Sequence, residues 1–174
     1  MIFAVVGPSG AGKDTLIAGA LAVRRDLRLV RRVITRPSEA GGEDFEGVSV
    51  PDFLLRRDRG EFALHWQAHG LHYGIPKSQL AGPGDVIFNG SRAALPEAVR
   101  ALPGLRVILV TAPDAVLADR LAARGREEAA DIRARLNRAH FALPEGISAT
   151  TVINDGALET GISRLLAALQ PVRA

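Results

Sequence analysis

The chain has no cysteine among its 174 residues, which excludes a disulfide framework and any thiolate metal site, zinc ribbons included. Lysine is nearly absent too: of 22 basic residues only Lys13 and Lys77 are lysines, and the rest are arginines. Aromatic residues make up 5%, too few for the stacking platforms on which single-stranded nucleic acids lie. No apolar run approaches membrane-spanning length, and the one that opens the chain, residues 2–6, stops at Gly7, far short of a bilayer span or a signal-peptide core. The basic excess is small. A net charge of +3 with a pI near 10.1 reflects the late titration of arginine more than a strong basic field. A cytoplasmic protein is expected, with neither nucleic acid nor membrane as a partner.

What is present is 47% hydrophobic sequence without repeats or low-complexity stretches, enough for one core rather than two. Short apolar runs at 2–6, 30–34, 86–88, 107–110 and 151–153 read as strands buried in a parallel sheet. They alternate with segments of helical period at 13–23, 93–102, 115–124, 130–142 and 158–169. That order is α/β, expected as a three-layer α/β/α domain over 1–174 with a central parallel sheet. The core would comprise 1–34 and 77–174. Residues 35–76 break the alternation with polar, Gly- and Pro-bearing sequence and β-like pieces at 48–50, 63–67 and 71–75, and read as an insertion over the sheet's C-terminal edge. A second flap, or lid, is expected over about 124–138, with Gly125 as hinge.

One motif carries chemistry outright. Gly7-Pro8-Ser9-Gly10-Ala11-Gly12-Lys13 has the G-x-x-x-x-G-K spacing, follows an apolar strand and enters a helix, the context a phosphate-binding P-loop requires. Its glycines let successive N–H groups face phosphates, the helix N-terminus adds positive dipole, and Lys13 reaches the β and γ oxygens. The dinucleotide pattern G-x-G-x-x-G fails, because Thr15 stands where its third glycine belongs. The motif usually closes with Ser or Thr on the metal, whereas here Asp14 follows the lysine. Two readings of Asp14 stand: a hard oxygen ligand for Mg²⁺, directly or through water, or an acidic first-turn residue favoured by the helix dipole.

Five segments in order extend the pattern: the P-loop, Thr35-Arg36-Pro37 with Gly42-Glu43, Tyr73-Gly74, Arg120-Leu121-Ala122-Ala123-Arg124-Gly125, and Asn154-Asp155. Together they resemble the guanylate kinases over nearly the whole chain. Guanylate kinases, however, carry Ser after the P-loop lysine, an acidic residue for the guanine edge shortly before Tyr-Gly, and Ile-Asp-x-Gln-Gly on the third strand. This chain has Asp14, no carboxylate within residues 64–70, and Phe88-Asn89-Gly90-Ser91-Arg92. A buried guanine would be left without its acceptor, which is costly. With Trp66, Ala68-His69-Gly70-Leu71, Arg124-Gly125-Arg126-Glu127 and Asn154-Asp155-Gly156, the sequence is similar to a sister branch, the ribose 1,5-bisphosphate phosphokinases of phosphonate breakdown, across roughly residues 2–170.

The resemblance implies transfer of the γ-phosphoryl group of ATP to the 1-phosphate of ribose 1,5-bisphosphate, giving 5-phosphoribosyl 1-diphosphate and ADP, with Mg²⁺ as metal. Gly7 to Lys13, Asp14, Thr15 and Asn154 would hold ATP; Arg36, Glu43, Tyr73, Asn89, Ser91, Arg92 and Arg138 would meet the acceptor; Lys13, Arg120, Arg124 and Arg135 would act on the transferring phosphoryl group. Glu43 either orients the acceptor or pairs with Arg36. Asn154-Asp155-Gly156 either contacts adenine or turns the chain into the last helix. Trp66 is read as packing or as a sugar-pocket wall, and His65, His69 and His72 as packing rather than a metal site. A guanylate-type kinase and a catalytically inactive scaffold are the competing functions, and a homodimer is left open.

Overall fold

An apolar strand that feeds a helix lying back on the sheet returns the chain to start a second, parallel strand beside the first. The computed structural model, which describes residues 1–123 and 142–170, repeats that step along the chain. Its elements are β1 Ile2–Val6, α1 Lys13–Val23, β2 Leu27–Leu29, β3 Arg32–Ile34, β4 Phe45–Gly47, α2 Val50–Asp58, β5 Phe62–Ala68, β6 Leu71–Pro76, α3 Lys77–Leu80, β7 Asp85–Asn89, α4 Leu95–Ala101, β8 Arg106–Thr111, α5 Asp114–Ala123, β9 Thr150–Ile153 and α6 Leu158–Ala168. Five strands form one parallel sheet in the order β2-β7-β1-β8-β9. Strand β1 sits at its centre with Phe3, Ala4, Val5 and Val6 fully buried, so both faces are covered. Phe3 and Val5 point into one core with Leu16, Ile17 and Ala20 of α1 and Leu165 of α6. Ala4 points into the opposite core with Phe88 and Ala98, and Val6 packs on that side with Leu95. The central parallel sheet with helices on both sides was legible from the sequence.

A second sheet, β4-β3-β6-β5, has four strands. It pairs β3 parallel to β4 and antiparallel to β6. Strands β5 and β6 form a hairpin whose turn, His69-Gly70, has φ of 52° and 73°, the positive values a tight two-residue hairpin needs. Helix α2 covers this sheet through Phe53, which is fully buried and stacked 4.7 Å from Phe62. Leu64 and Ile75 enter the core shared with Val86 and Phe88, fixing the second sheet against the first.

The expected strand at 30–34 divides. The Val30 N–H donates to the Ile87 carbonyl at 2.9 Å, continuing the edge started by β2, and the chain then bends at Arg31 so that β3 joins the second sheet. Apolar periodicity registers the two short strands as one because it does not locate the bend. The β-like piece at 48–50 instead leads into α2. Ser49 caps that helix, its hydroxyl accepting the Asp52 N–H at 3.2 Å, with Pro51 in the first turn; this Ser49-Val50-Pro51-Asp52 start signal is present in the sequence. The segment at 93–102 opens with a 3₁₀ turn, Arg92–Ala94, before α4. The flap around Arg124 and nearly all of the helix expected at 130–142 fall outside the described residues. Among the described residues no helix is long and apolar enough to cross a membrane.

At the sheet's opposite end the Arg24 guanidinium gathers several elements. It donates to Asp26, to Asp85 at the start of β7 and to the Leu169 carbonyl after α6, while the Met1 amine also reaches Asp85. Burial alone would raise the Asp85 carboxyl, but hydrogen bonds from the amine and from Arg24 outweigh it and hold the group below the usual carboxylate range. A depressed folded-state pKa stabilises above the unfolded value of about 3.9 and is lost as pH falls through the folded one. Asp85→Asn is therefore expected to lower stability by about 1.5–3 kcal/mol at neutral pH. In denaturant titrations from pH 7 to 2 that gap should close; a constant gap would mean the carboxylate charge is not its source.

Candidate active site

The turn from β1 into α1 is possible only for glycine at two points. At Gly7 (φ 157°) a Cβ would lie 2.0 Å from the Val110 carbonyl oxygen, so the loop runs directly against the end of β8. At Gly12 (φ 85°), which caps α1, a Cβ would lie 2.6 Å from Asn154 Nδ2. Lys13 arches over the loop, its Nζ donating to the carbonyls of Gly7 at 3.0 Å and Pro8 at 3.1 Å.

Two side chains hold the loop from behind. Asn154, 6% exposed at the end of β9, donates from Nδ2 to the Ala11 carbonyl at 2.8 Å. Arg120 of α5 donates to the Gly10 and Ala11 carbonyls at 3.2 and 3.4 Å and to the Asn154 carbonyl at 2.9 Å. With the Ala11 carbonyl turned towards them, the Gly12 N–H in the same planar peptide points the other way, as a phosphate cradle requires. The Asn154 side chain thus supports the loop's backbone. Asp155 pairs instead with Arg164 at 2.8 Å.

In front of the loop, Asp14 and Thr15 are exposed on the first turn of α1. Asn89, the last residue of β7, donates from Nδ2 to Asp14 Oδ1 at 2.7 Å. A cleft of about 200 Å³ separates this turn from the loop before β4, with Asp14, Leu21, Leu29, Gly42, Glu43 and Asn89 in its walls. Ser91 precedes the 3₁₀ turn that carries Arg92, whose guanidinium is lowered in pKa by burial.

Glu43 does not pair with Arg36. It forms a two-point ion pair with Arg32, the two side chains being 11% and 8% exposed. Arg32 also donates to the Asn89 carbonyl at 2.7 Å and lies 5.1 Å from the Tyr73 ring, which is stacked on Trp66 at 5.3 Å. Burial, with a smaller push from Arg36, lowers the Arg32 pKa to about 10 against the pull of Tyr73 and Asp14, so it is a cation at neutral pH. Arg36 lies 4.3 Å over Phe45 and donates to the Gly41 carbonyl at 3.0 Å, while its buried Nε has no hydrogen-bond partner.

The structure therefore brings Asp14, Asn89 and Glu43 round one cleft, with Tyr73 joined to Glu43 through Arg32. Arg124, Arg135 and Arg138 lie outside the described residues. Sequence reasoning missed Arg32: in the doublet Arg31-Arg32 before Val33-Ile34, nothing separates a buried arginine from an exposed strand-end one. Trp66 packs on Tyr73 within the second sheet. Among the described residues no three His, Cys, Asp or Glu side chains are grouped to hold a metal.

No family model matches the chain. Among curated proteins it is similar to a ribose 1,5-bisphosphate phosphokinase PhnN of Ruegeria sp., 49% identical over 99% of this chain and 93% of that protein. A ribose 1,5-bisphosphate phosphokinase PhnN of Agrobacterium fabrum is 46% identical over 95% of this chain and 94% of its own. A bifunctional ribose 1,5-bisphosphokinase-thymidine phosphorylase of Cupriavidus necator is 47% identical over 97% of this chain, which spans 29% of that longer protein. Among solved structures, a guanylate kinase from Anaplasma phagocytophilum superposes with TM-score 0.65 at 18% identity, over 96% of this chain and 82% of that one. A gluconokinase from Sinorhizobium meliloti gives 0.55 at 15% identity, over 96% and 90%. These two likenesses are of fold.

Gly12→Ala forces both a strained φ and a clash with Asn154. The variant is expected to bind ADP at least about tenfold more weakly by calorimetry, the equivalent of about 1.4 kcal/mol. Unchanged affinity would show that the loop binds phosphate without this backbone conformation.

Proposed function

The chain belongs to the ribose 1,5-bisphosphate phosphokinase family, and we propose on that premise that it transfers the γ-phosphoryl group of ATP to the 1-phosphate of ribose 1,5-bisphosphate. The products are 5-phosphoribosyl 1-diphosphate and ADP. One observation carries the reading: Asp14, next to the loop's lysine, shares a cleft with Asn89 and Glu43, and that Glu43 carboxylate is already engaged by Arg32, which packs beside Tyr73. A guanine acceptor needs a carboxylate for its N–H edge. Residues 64–70 contribute none, and Trp66 there stacks on Tyr73.

The acceptor is a phosphate, anionic at neutral pH, so no base has to remove a proton before attack. An oxygen of the 1-phosphate attacks the γ-phosphorus, the bond from that phosphorus to the β–γ bridging oxygen breaks, and ADP leaves with the electron pair. What the protein supplies is position and neutralising charge. The Gly12 N–H and the α1 N-terminus hold the donor phosphates, and Lys13 exchanges the Gly7 and Pro8 carbonyls for β and γ oxygens. Arg120 and Asn154 keep the loop's N–H groups aimed outward. Arg36, with its unpaired Nε, suits an acceptor phosphate because guanidinium meets phosphate in two-point geometry. Tyr73, and Ser91 and Arg92 beyond β7, are assigned to the acceptor's remaining groups.

The donor set fits a magnesium ion. Asp14 offers a hard oxygen at the position that follows the loop's lysine, and Mg²⁺ is typically held by one or two carboxylates together with phosphates and water. Asp14 would hold the ion, which would supply charge neutralisation for the donor phosphates. We take the β4-β3-β6-β5 sheet with α2 as the acceptor-binding part, and residues 124–138, with Arg124, Arg135 and Arg138, as a lid.

ADP release measured with ribose 1,5-bisphosphate, GMP, dGMP and AMP tests the reading. The sugar bisphosphate should be turned over far faster than any nucleotide, and a preference for GMP would refute it. Lys13→Ala should cut kcat by at least about 10²–10³-fold while leaving thermal unfolding unchanged. Near-normal turnover would remove Lys13 from the donor site.

A further inference from the structure

At the C-terminal end of β7 the peptide joining Asn89 to Gly90 is fixed from one side: the Gly90 N–H donates to the Val5 carbonyl of β1 at 2.8 Å. Because a peptide is planar with its N–H and C=O opposed, the Asn89 carbonyl points to the other side, towards the edge where β2 has already ended at Leu29. No strand remains there to bond it. The Arg32 guanidinium fills that place, donating to the carbonyl at 2.7 Å from a position 7% exposed. Its other nitrogens are held by Glu43 in the loop before β4. From the same residue, the Asn89 side chain donates to Asp14 Oδ1 at 2.7 Å. The result is one continuous run of polar contacts, Glu43 to Arg32 to Asn89 to Asp14, from the acceptor sheet to the residue after the loop's lysine.

The usual Ser or Thr at the Asp14 position has one side-chain torsion before its metal-binding oxygen. An aspartate has two and lies on an exposed turn, so its carboxylate needs a brace to meet an ion with the near-octahedral demands of Mg²⁺. The Asn89 amide offers N–H donors suited to a carboxylate and, by occupying Oδ1, leaves Oδ2 for the cation.

We propose that Asn89 and Arg32 are positioning residues for the metal: Asn89 orients the Asp14 carboxylate, Arg32 fixes the end of β7 that carries Asn89, and the run ties the metal site to the acceptor sheet. The inference rests on the reading that Asp14 serves the metal of the bound nucleotide. Groups that orient a ligand in this way are commonly worth tenfold or more in metal affinity.

Calorimetric titration of the full chain with ADP, in Mg²⁺ and again in EDTA, isolates the metal-dependent part of binding. Asn89→Ala should leave affinity in EDTA within about twofold and reduce the tightening given by Mg²⁺ by about tenfold. The double variant Asp14→Asn/Asn89→Ala should be no worse than Asp14→Asn alone, because the two act as a unit. Arg32→Lys keeps a cation beside Glu43 but loses the two-point geometry, and should lower the same Mg²⁺ tightening while thermal unfolding shows a folded chain. If Asp14→Asn leaves the tightening intact, the metal reading of Asp14 fails. If Asp14→Asn removes it but Asn89→Ala does not, or the two losses add, the positioning role is overturned. Arg32→Lys behaving as wild type would overturn the share assigned to Arg32.

Discussion

Strands of a parallel sheet all end at one edge, and the backbone groups left there must find partners off the sheet. In this protein that requirement organises the site. The Asn154 N–H returns to the Thr111 carbonyl and the Gly90 N–H to the Val5 carbonyl. The Gly7 backbone lies against the Val110 carbonyl. The carbonyls of Gly10, Ala11, Asn89 and Asn154 are taken by Arg120, Asn154 and Arg32. The groups that complete the end of the sheet are the ones that shape the phosphate loop and its surroundings, so packing and chemistry share the same contacts.

The scarcity of lysine follows a similar division of labour. A guanidinium has five donors in a fixed plane and serves two or three acceptors at once. Arg24 joins α1, β7 and the residue after α6 at one end of the sheet; Arg120 and Arg32 do comparable work at the other. Arg36 differs in leaving a buried donor without a partner, the feature that suits it to an anion from outside. Lys13 is a compact charge on a flexible stem, held here by the Gly7 and Pro8 carbonyls, which the proposed function has it exchange for phosphate oxygens. The same logic makes Glu43 an unsuitable group for a nucleobase edge, since both its oxygens are held by Arg32.

Much of the fold was legible because its signals are local. The run at 2–6, the glycine spacing to Lys13 and the helical period of 13–23 predict β1, the loop and α1 to the residue. The parallel sheet follows from alternation of strand and helix. Two features depart from the periodic reading: the Ser49 cap with Pro51 that begins α2, and the bend at Arg31 that sends β3 to the other sheet. The first was present in the sequence, whereas the second depends on which partner strand is available and is not a local property.

The sequence by itself determined that phosphate is handled. Gly7, Gly12 and Lys13 are required by backbone geometry and charge within one turn of chain. The absence of a carboxylate from residues 64–70 likewise argues against guanine without any coordinates. Only the tertiary structure decided which arginine holds Glu43, that Asn154 braces the Ala11 carbonyl, and that Asn89 reaches Asp14 across 75 positions of sequence. Those contacts join residues far apart in the chain. Their formation depends on strand order and peptide orientation at the sheet's edge, and neither leaves a periodic trace in the sequence.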